Sequence, residues 1–234
     1  MRALLFDIDG TLTRSGGAGG RAMGAALGVR PRAAEELRKM KLDGMTDPLI
    51  MRLLLAAEGD HAVPMTERMA AVDAAQIDSL LEVYLEALAR ECTAGSYTQL
   101  PGVAALLPRL AARQDVLLGL CTGNLERGAK LKLTAAGLWG HFGFGGYGSD
   151  AELRADIVRA AWTRAQALGA TEALIIGDTP RDILAAHDAG LPACGVATGR
   201  WTVHDLAEHG ANLVLESFAD VDRAEALLLG PLAR

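Results

Sequence analysis

The sequence has few aromatic residues, few cysteines and no long apolar run. Aromatic side chains account for 4% of its 234 residues while hydrophobic residues account for 50%, so the core must be mostly aliphatic. The three cysteines, Cys92, Cys121 and Cys194, lie far apart, and none forms a CxxC or Cys/His spacing. This pattern gives no support to a zinc site or a disulfide framework, and we expect buried free thiols.

The sequence also has no excess of basic residues and no membrane-spanning segment. The net charge of −6 is unfavourable for nucleic-acid binding, which depends on clustered lysine and arginine, although a small anion could still bind in a local cationic pocket. No segment approaches the roughly 18 apolar residues of a membrane span. Asp7 interrupts the first apolar stretch before it reaches the about 7 to 15 residues of a secretion signal. We expect a cytoplasmic protein that binds neither nucleic acid nor membrane, with its oligomeric state left open.

Five short apolar runs recur along the chain, and each has the length of a β-strand. They are ALLF before Asp7, VLLGLC before Thr122, ALIIG before Asp178, ACGVA before Thr198 and NLVL before Glu216. Because they are apolar nearly throughout instead of alternating, they suit strands covered on both faces. Helical patterns lie between them, over 102–113, 125–136, 151–168 and 180–189. The alternation predicts an α/β fold with a doubly wound parallel sheet.

Residues 20 to 97 break this alternation. They contain no convincing strand, and their helical patterns run over 19–28, 32–40, 46–58 and 66–91. The flanking stretches SGGAGG (15–20) and TAGSY (93–97) have turn-forming compositions that suit hinges. GGAGG lacks the GxxxxGKS/T pattern of a phosphate loop, so we interpret it as a flexible connector. We therefore predict an all-helical domain at 16–97, inserted into a core made of 1–15 and 98–234.

Polar side chains follow three of the predicted strands. In open α/β sheets, ligands bind beyond the carboxyl ends of the strands, where these side chains should converge. They are Asp7, Asp9, Thr122, Asp178 and Asp182. A DxD pair alone could simply form a turn or a cap, but carboxylates from two neighbouring strands would raise one another's pKa and destabilise the fold. A hard divalent cation with oxygen ligands, such as Mg²⁺, compensates for such crowding.

Asp7 and Asp9 can divide a reaction between them. Their two-residue spacing places both side chains on the same side of an extended segment, and Gly10 allows the chain to turn away. One carboxylate can bind metal and attack a substrate as a covalent nucleophile, while its neighbour transfers protons. The pattern therefore favours phosphoryl transfer.

These motifs resemble those of the haloacid dehalogenase-like superfamily of phosphatases, over nearly the whole chain. DIDGTLT is similar to its first motif, LGLCTGN to its second, which is a strand ending in Ser or Thr, and GDTPRD to its fourth. The helical insertion after the first motif is similar to the family's mobile cap. Motifs in this order and at suitable spacing are far more specific than any one of them.

The resemblance implies a role for each residue. Asp7 would attack phosphorus to form a phospho-aspartyl intermediate, and Asp9 would protonate the leaving alcohol and then activate water. Thr122 would bind the transferring phosphoryl group, with Gly123 and Asn124 beside it in the substrate site. Mg²⁺, which would neutralise charge on the phosphoryl oxygens, would be held by Asp7, the main-chain carbonyl of Asp9, Asp178 and, in a supporting role, Asp182.

One position departs from the family pattern. The family usually has a lysine upstream of the fourth motif, where DAELRADIV offers Arg154. Either cation stabilises a phosphoryl oxygen, arginine as a planar fork and lysine as a point charge. Lys130 and Lys132 in AKLKL are competitors, but we expect both on an exposed helical face. We therefore favour Arg154, and we expect Arg154→Ala to lower turnover with little loss of folding.

The stretch KLDGMTDPLI, 41–50, resembles the cap loop of phosphoglycolate phosphatase-like members, in which a Gly-x-Thr-Asp segment faces the active site. Thr46 as an N-cap and Pro48 in the first helical turn explain these residues equally well. Substrate contact by Gly44, Thr46 or Lys41 therefore stays open beside simple capping. A cap that closes over the site favours small phosphomonoesters. Phosphoglycolate is the family's suggestion, and sugar phosphates and nucleoside monophosphates stay open.

The resulting hypothesis is a Mg²⁺-dependent phosphatase of a small phosphorylated metabolite. A phosphomutase on the same scaffold is the alternative, because it keeps both aspartates of the first motif and differs mainly in how the cap excludes water. Dehalogenation is disfavoured because dehalogenases of this superfamily lack the second aspartate, whereas Asp9 is present. A catalytically silent binding protein would be expected to lose a catalytic position, and none is plainly missing.

Overall fold

The computed structural model describes residues 1–231. Its strands are β1 (Arg2–Phe6), β2 (Thr13–Arg14), β3 (Thr98–Gln99), β4 (Val116–Cys121), β5 (Phe144–Gly146), β6 (Glu172–Gly177), β7 (Ala193–Val196) and β8 (Leu213–Leu215). Six of them form a parallel sheet in the order β5-β4-β1-β6-β7-β8, and β2 and β3 form a separate antiparallel pair. The predicted parallel α/β sheet is confirmed, with β1 between β4 and β6 at its centre.

The helices lie in two groups along the chain. Between β2 and β3 come α1 (Ala18–Leu27), α2 (Pro31–Lys39), α3 (Asp47–Ala57), α4 (Met65–Ala70) and α5 (Ala74–Thr93). After β3 come α6 (Val103–Ala111), α7 (Glu126–Ala135), a short 3-10 helix (Trp139–His141), α8 (Arg154–Ala167), α9 (Pro180–Asp188), α10 (Val203–Glu208) and α11 (Val221–Leu229). Within the described residues, no helix combines the length and the apolar character needed to cross a bilayer.

Helices cover both faces of the sheet, which explains why its strands are apolar throughout. Leu4 and Phe6 of β1 belong to a buried cluster with side chains of α6, α7 and α11. Ala3 and Leu5 point to the opposite face, where they pack with side chains of α8, α9 and α10. Successive strand residues alternate between the two faces, so every position of β1 is buried. The three cysteines are also buried and free, as expected.

The helices of the inserted segment have a hydrophobic cluster of their own. Met23 of α1, Met51 of α3 and Tyr84 of α5 are among its buried members. At the base of the segment, β2 and β3 pair side by side and bring its two ends together. This arrangement agrees with an inserted helical unit, and the limits 16–97 stay a prediction.

Two details of the inserted segment differ from the sequence prediction. The helix expected over 66–91 is two helices, because α4 ends at Ala70 and Asp73 caps α5 by accepting a hydrogen bond from the Ala75 N–H at 3.2 Å. The flexible connector expected at 15–20 is partly helical, since α1 begins at Ala18. Ala18 is fully buried in the cluster of the inserted segment, and this packing fixes part of the glycine-rich stretch.

Candidate active site

The carboxyl ends of β1, β4 and β6 open into one cavity of about 430 Å³. Asp7 and Asp9 after β1, Thr122 after β4 and Asp178 after β6 all border it. Because β1 pairs with both β4 and β6, residues far apart in the chain meet at one edge of the sheet. The structure therefore brings together these four side chains, with Asp182 beside them.

Asp7 is the first residue after β1, and its carboxylate is buried. Its N–H donates to the carbonyl of Ile176 at 2.8 Å, which extends the pairing with β6 by one residue. Burial, with smaller contributions from the charges of Asp182 and Asp9, raises the pKa of Asp7 to about 6, although the charge of Arg154 opposes this shift. Asp7 thus presents a poorly solvated carboxylate to the cavity, which suits a covalent nucleophile.

Three carboxylates form an acidic cluster at this end of the sheet. Asp7, Asp178 and Asp182 each offer an oxygen within 4.8 Å of the others. Burial and the neighbouring charges of Asp182 and Asp7 raise the pKa of Asp178 to about 9. Thr11 Oγ1 donates to Asp178 at 3.2 Å, and a Cβ added at Gly199 would collide with its carboxylate. The cluster carries more negative charge than its neighbours neutralise and offers the oxygen donors that Mg²⁺ prefers, so it fits a bound Mg²⁺ ion.

Asp182 is held by protein donors on both of its oxygens. The N–H and Oγ1 of Thr179 donate to Oδ2 at 3.0 and 2.7 Å, as part of the capping box that starts α9. Arg154 donates to Oδ1. These contacts favour a supporting role, in which Asp182 positions Arg154, over direct ligation of a metal.

Arg154 begins α8 and lies buried against the acidic cluster. Its guanidinium contacts Asp7 Oδ1 at 3.1 Å and Asp182, and it donates to the carbonyl of Gly44 at 3.2 Å. Burial disfavours its charge, but the carboxylates of Asp182 and Asp7 outweigh burial and raise the pKa of Arg154. Arg154 therefore stays protonated beside Asp7, where the resemblance implies a cation, and it is not a solvated surface residue.

The expectation that Lys132 lies on an exposed helical face is wrong. Its side chain is only 4% exposed, and its Nζ donates to Asp9 Oδ2 at 2.6 Å and to Asn124 Oδ1. Although burial opposes the charge, the carboxylate of Asp9 contributes to raising the pKa of Lys132 above its ordinary value. Lys130 is exposed, as expected. The site therefore contains two buried cations, Arg154 beside Asp7 and Lys132 beside Asp9.

Asn124 connects the second motif to Asp9. Its Nδ2 donates to Thr122 Oγ1 at 2.7 Å and to Asp9 Oδ2 at 2.9 Å. Thr122 itself is fully buried. Asp9 is thus held by two donors, Asn124 and Lys132, while 42% of its side-chain surface stays exposed. Its carboxylate is fixed in orientation and still accessible from the cavity.

The loop 41–50 of the inserted segment docks on the core beside these residues. The N–H of Asp47 donates to the carbonyl of Gly123 at 2.8 Å. A Cβ added at Gly123 would collide with the carbonyl of Met45, so this close approach requires glycine. Gly123 and Asn124 border the cavity, as a substrate-binding role requires.

Capping accounts for Thr46. Its Oγ1 accepts a hydrogen bond from the Leu49 N–H at 3.3 Å as the N-cap of α3 and donates to the carbonyl of Glu152 at 2.9 Å. Thr46 and Lys41 are not among the residues that line the cavity, whereas Gly44 is. Of the three cap-loop candidates, Gly44 is therefore the one whose position allows direct contact with a substrate.

Asp47, the last residue of the Gly-x-Thr-Asp segment, also borders the cavity, although the cap-loop candidates did not include it. Its Oδ2 accepts a hydrogen bond from the Leu125 N–H at 3.0 Å, and its Oδ1 lies 3.5 Å from the hydroxyl of Tyr84. Burial raises the pKa of Asp47 to about 6, although the charge of Lys132 opposes this. The hydrogen bond with Leu125 joins the inserted segment to the core. Because the two residues are far apart in the chain, only the folded structure reveals this contact.

Comparison with known proteins identifies the family. A family model described as haloacid dehalogenase-like hydrolase matches residues 1–190. The chain belongs to this family. The matched residues include all the strand-end side chains described above, so the resemblance expected from the motifs is confirmed.

Curated relatives of this haloacid dehalogenase-like hydrolase include phosphoglycolate phosphatases. The one from Yersinia pseudotuberculosis serotype I (strain IP32953) is 30% identical over 225 residues, which cover 94% of this chain and 91% of that protein. The one from Pseudomonas fluorescens (strain Pf0-1) is 28% identical over 222 residues, which cover 92% of this chain and 76% of that protein. The chain is therefore a phosphoglycolate phosphatase-like member of the family, and its predicted enzyme class, a phosphoric monoester hydrolase, is confirmed.

Solved structures share the fold of this chain. A hydrolase from Pseudomonas syringae matches with a TM-score of 0.72 and 24% identity, covering 98% of this chain and 100% of that chain. CbbY from Rhodobacter sphaeroides, in complex with phosphate, matches with a TM-score of 0.69 and 21% identity, covering 94% and 95% of the two chains. At these identities the likeness concerns the fold, and it confirms the α/β core of a haloacid dehalogenase-like hydrolase.

Proposed function

We propose that this chain is a Mg²⁺-dependent phosphatase that hydrolyses a small phosphomonoester through a phospho-aspartyl intermediate on Asp7. The observation that carries the proposal is the buried Asp7 carboxylate at the end of the central strand, open to a 430 Å³ cavity and 3.1 Å from Arg154. Arg154 can hold one phosphoryl oxygen and Thr122 can donate to another. Such a site accelerates phosphoryl transfer mainly by holding the reacting groups in one geometry.

Asp9 is the proposed general acid and base. Its carboxylate is oriented by Lys132 and Asn124, so it can protonate the leaving oxygen and afterwards accept a proton from the attacking water. Lys132 acts through Asp9 and is therefore a positioning residue. Gly123 and Asn124 on the core, with Gly44 of the inserted segment, are the proposed substrate contacts.

The acidic cluster supports Mg²⁺ as the cofactor. The proposed ligands are Asp7, Asp178 and the main-chain carbonyl of Asp9, with Asp182 supporting them through Arg154. When bound, the ion neutralises charge on the phosphoryl oxygens. Because Asp178 has a pKa of about 9 without metal, it holds a proton at neutral pH, and metal binding should release this proton.

A small phosphorylated metabolite is the proposed substrate. The cavity volume of about 430 Å³ suits a compact ester, and the docked loop 41–50 closes one side of it. Phosphoglycolate is the first compound to test, because the curated relatives carry its name. A sugar phosphate should stand beside it to detect a mutase.

Phosphate release from a panel of small phosphomonoesters, with Mg²⁺ and with EDTA, tests this proposal. We expect release by the wild type only with Mg²⁺, and none by Asp7→Asn. Asp156→Asn is the matched control and should keep wild-type activity, because that carboxylate is exposed and pairs with Arg159 at 2.7 Å. Release that survives EDTA or Asp7→Asn would refute the mechanism, and isomerisation of a sugar phosphate without net release would favour the mutase.

A further inference from the structure

The glycine-rich stretch 15–20 borders the catalytic cavity. Its residues that line the cavity are Ser15, Gly16, Gly17, Gly19 and Gly20. The stretch ends in the first turn of α1, so the N-terminus of a ten-residue helix meets the cavity. The sequence alone indicated only a connector here, and the proposed chemistry uses none of these residues.

The N-terminus of α1 has no negative group of its own. Gly17 is the N-cap residue and brings no side chain, and the first turn contains no aspartate or glutamate. Within residues 1–231, the N–H groups of Gly19 and Gly20 have no hydrogen-bond acceptor. Free N–H groups at the positive end of a helix favour a negative charge. Because glycine has no side chain, a ligand can approach these groups closely.

A buried hydroxyl indicates a ligand at the same place. Tyr97 is only 4% exposed, and its hydroxyl has no hydrogen-bond partner in the described part of the chain. Ser15 lies near enough to lower the pKa of Tyr97 slightly, but no hydrogen bond joins the two hydroxyls. A Cβ on Gly19 would lie 3.8 Å from the Tyr97 hydroxyl and 3.8 Å from Lys132 Nζ. An acceptor atom from a ligand at this point would satisfy the buried hydroxyl, which is costly to leave unpaired.

The charges around this point also favour an anion. Lys132 neutralises Asp9, whose carboxylate it contacts at 2.6 Å. Arg14, directly before the glycine-rich stretch, borders the cavity and donates to the carbonyl of Thr198 at 3.0 Å. It has no acidic partner within residues 1–231, although solvent screens its charge because it is exposed. Arg14 therefore adds to the attraction of the helix N-terminus for a negative group.

We propose that the N-terminus of α1 and the Tyr97 hydroxyl bind a second anionic group of the substrate, a carboxylate or a phosphate. This inference rests on the proposed phosphatase function and narrows its substrates to phosphomonoesters that have such a group. Lys132 Nζ contacts the proposed acid Asp9 and also lies 3.8 Å from the Cβ point of Gly19. The second anion would therefore lie one side chain away from the group that protonates the leaving oxygen, which suits a short ester such as phosphoglycolate.

Two substitutions block this site with little disturbance of the fold. Gly19→Ala places a methyl group at ordinary contact distance from Tyr97 and Lys132, and alanine favours a helix. Tyr97→Phe removes only a hydroxyl that has no partner within residues 1–231. Gly24→Ala is the matched control, because it adds a methyl group to the same helix at a residue that does not line the cavity. Thermal unfolding checks that all three variants fold.

Three esters of similar length test the proposal. They are phosphoglycolate with a carboxylate, ethylene glycol bisphosphate with a second phosphate, and 2-hydroxyethyl phosphate with a neutral end. For the wild type with Mg²⁺ we expect kcat/KM to be about tenfold or more higher for at least one anionic ester than for the neutral ester, because hydrogen bonds to a charged group give at least that factor. The anionic ester that is preferred identifies the group as a carboxylate or a phosphate.

Gly19→Ala and Tyr97→Phe should each lower kcat/KM for the preferred anionic ester by about tenfold and change it for the neutral ester by less than about twofold. Gly24→Ala should keep the wild-type values. A wild type that does not prefer an anionic ester would overturn the proposal. So would a preference that both variants keep, or an equal loss for all three esters, which would indicate a purely structural role.

Failure of the proposed phosphatase function looks different, because no ester would then release phosphate in an Asp7-dependent manner. In that case calorimetric titration of phosphoglycolate and ethylene glycol bisphosphate with Mg²⁺ measures the site by itself. We expect at least one of them to bind the wild type about tenfold more tightly than Gly19→Ala. Equal affinities for the two proteins would overturn the proposal.

Discussion

Replacing Lys132 by methionine removes one charge from the site and keeps most of the side-chain volume. Lys132 is buried, and its Nζ donates to Asp9 at 2.6 Å and to Asn124. Without this cation, Asp9 loses a donor that fixes its carboxylate for the proposed proton transfer. We expect kcat/KM to fall about ten- to a hundredfold, equivalent to about 1.4–2.7 kcal/mol of transition-state stabilisation, with the loss in kcat more than in KM.

The same contacts determine how much Lys132→Met lowers the free energy of unfolding. Asp9 is 42% exposed, so water can solvate its freed charge and the ion pair adds little to folding. Asn124 is buried, and its Oδ1 loses a donor, which costs about 1–3 kcal/mol. Methionine offsets part of this cost because it brings no charge that must be desolvated. We therefore expect a loss of about 1–2 kcal/mol in the free energy of unfolding, or about 2–8 °C in melting temperature.

Lys130→Met is the matched control for this experiment. Lys130 lies on the same helix, two positions earlier, and is exposed. Phosphate release under saturating Mg²⁺ and thermal unfolding should give wild-type values for Lys130→Met. If Lys132→Met kept the wild-type kcat while it lost stability, Lys132 would be purely structural, and its assignment as a positioning residue for Asp9 would be refuted.

Two further predictions concern the acidic cluster. Arg154→Gln should lower the free energy of unfolding by about 3–5 kcal/mol, because it leaves Asp7 and Asp182 buried without their cation. These ion pairs argue against the little loss of folding that the sequence alone predicts for Arg154→Ala. Thermal unfolding beside the exposed control Arg159→Gln checks this prediction, which equal stability of the two variants would contradict. In EDTA, the protein should lose stability as the pH rises. The pKa of Asp178 is about 9 in the folded protein and about 3.9 in the unfolded chain. The contribution of this group to the free energy of unfolding is therefore fully present below about pH 4. It is lost as the pH rises toward 9, by up to about 1.4 kcal/mol per pH unit. The proposed Mg²⁺ site requires ionised carboxylates, so the increase of the melting temperature by Mg²⁺ should be larger at about pH 8.5 than at about pH 6, and a pH-independent increase would contradict this prediction.

The central strands could be predicted from the sequence because burial on both faces requires a continuous apolar run. β5 could not be predicted in this way. β5 spans Phe144–Gly146 and contains two glycines, which weaken any strand signal. A Cβ added at Gly146 would collide with the carbonyl of Ile157, so the packing of α8 requires glycine there. Its strand conformation comes from pairing with Gly119–Cys121 at the sheet edge, and a single sequence does not show this pairing.

The positions of the strand-end aspartates could be predicted because they follow recognisable strands, and the sequence also contained a signal for the burial of Lys132. Ala129 and Leu133 are buried on α7, three positions before Lys132 and one after it. Helical periodicity places these three residues on one face. The charge of Lys132 nevertheless favoured the prediction of an exposed position. Only the folded structure shows that the Asp9 carboxylate compensates for burying this charge.

Asp47 illustrates what a single sequence leaves out. Its position as a helix-starting residue after the Thr46 cap is readable locally. Its place in the cavity wall depends on the docking of loop 41–50 against Gly123 and Leu125 of the core. The resemblance of loop 41–50 predicts that it faces the active site, but no spacing in the sequence identifies Gly123 and Leu125 as its partners.

The central claim is that Asp7 carries the phosphoryl group during turnover. The most direct test is to mix the protein with Mg²⁺ and its fastest ester labelled in the phosphate, quench with acid within the first turnover, and locate the label by peptide mass spectrometry. We expect the label on Asp7, in the peptide that contains β1, and no labelled protein from Asp7→Asn. Label on another residue, or rapid turnover by Asp7→Asn, would contradict the mechanism.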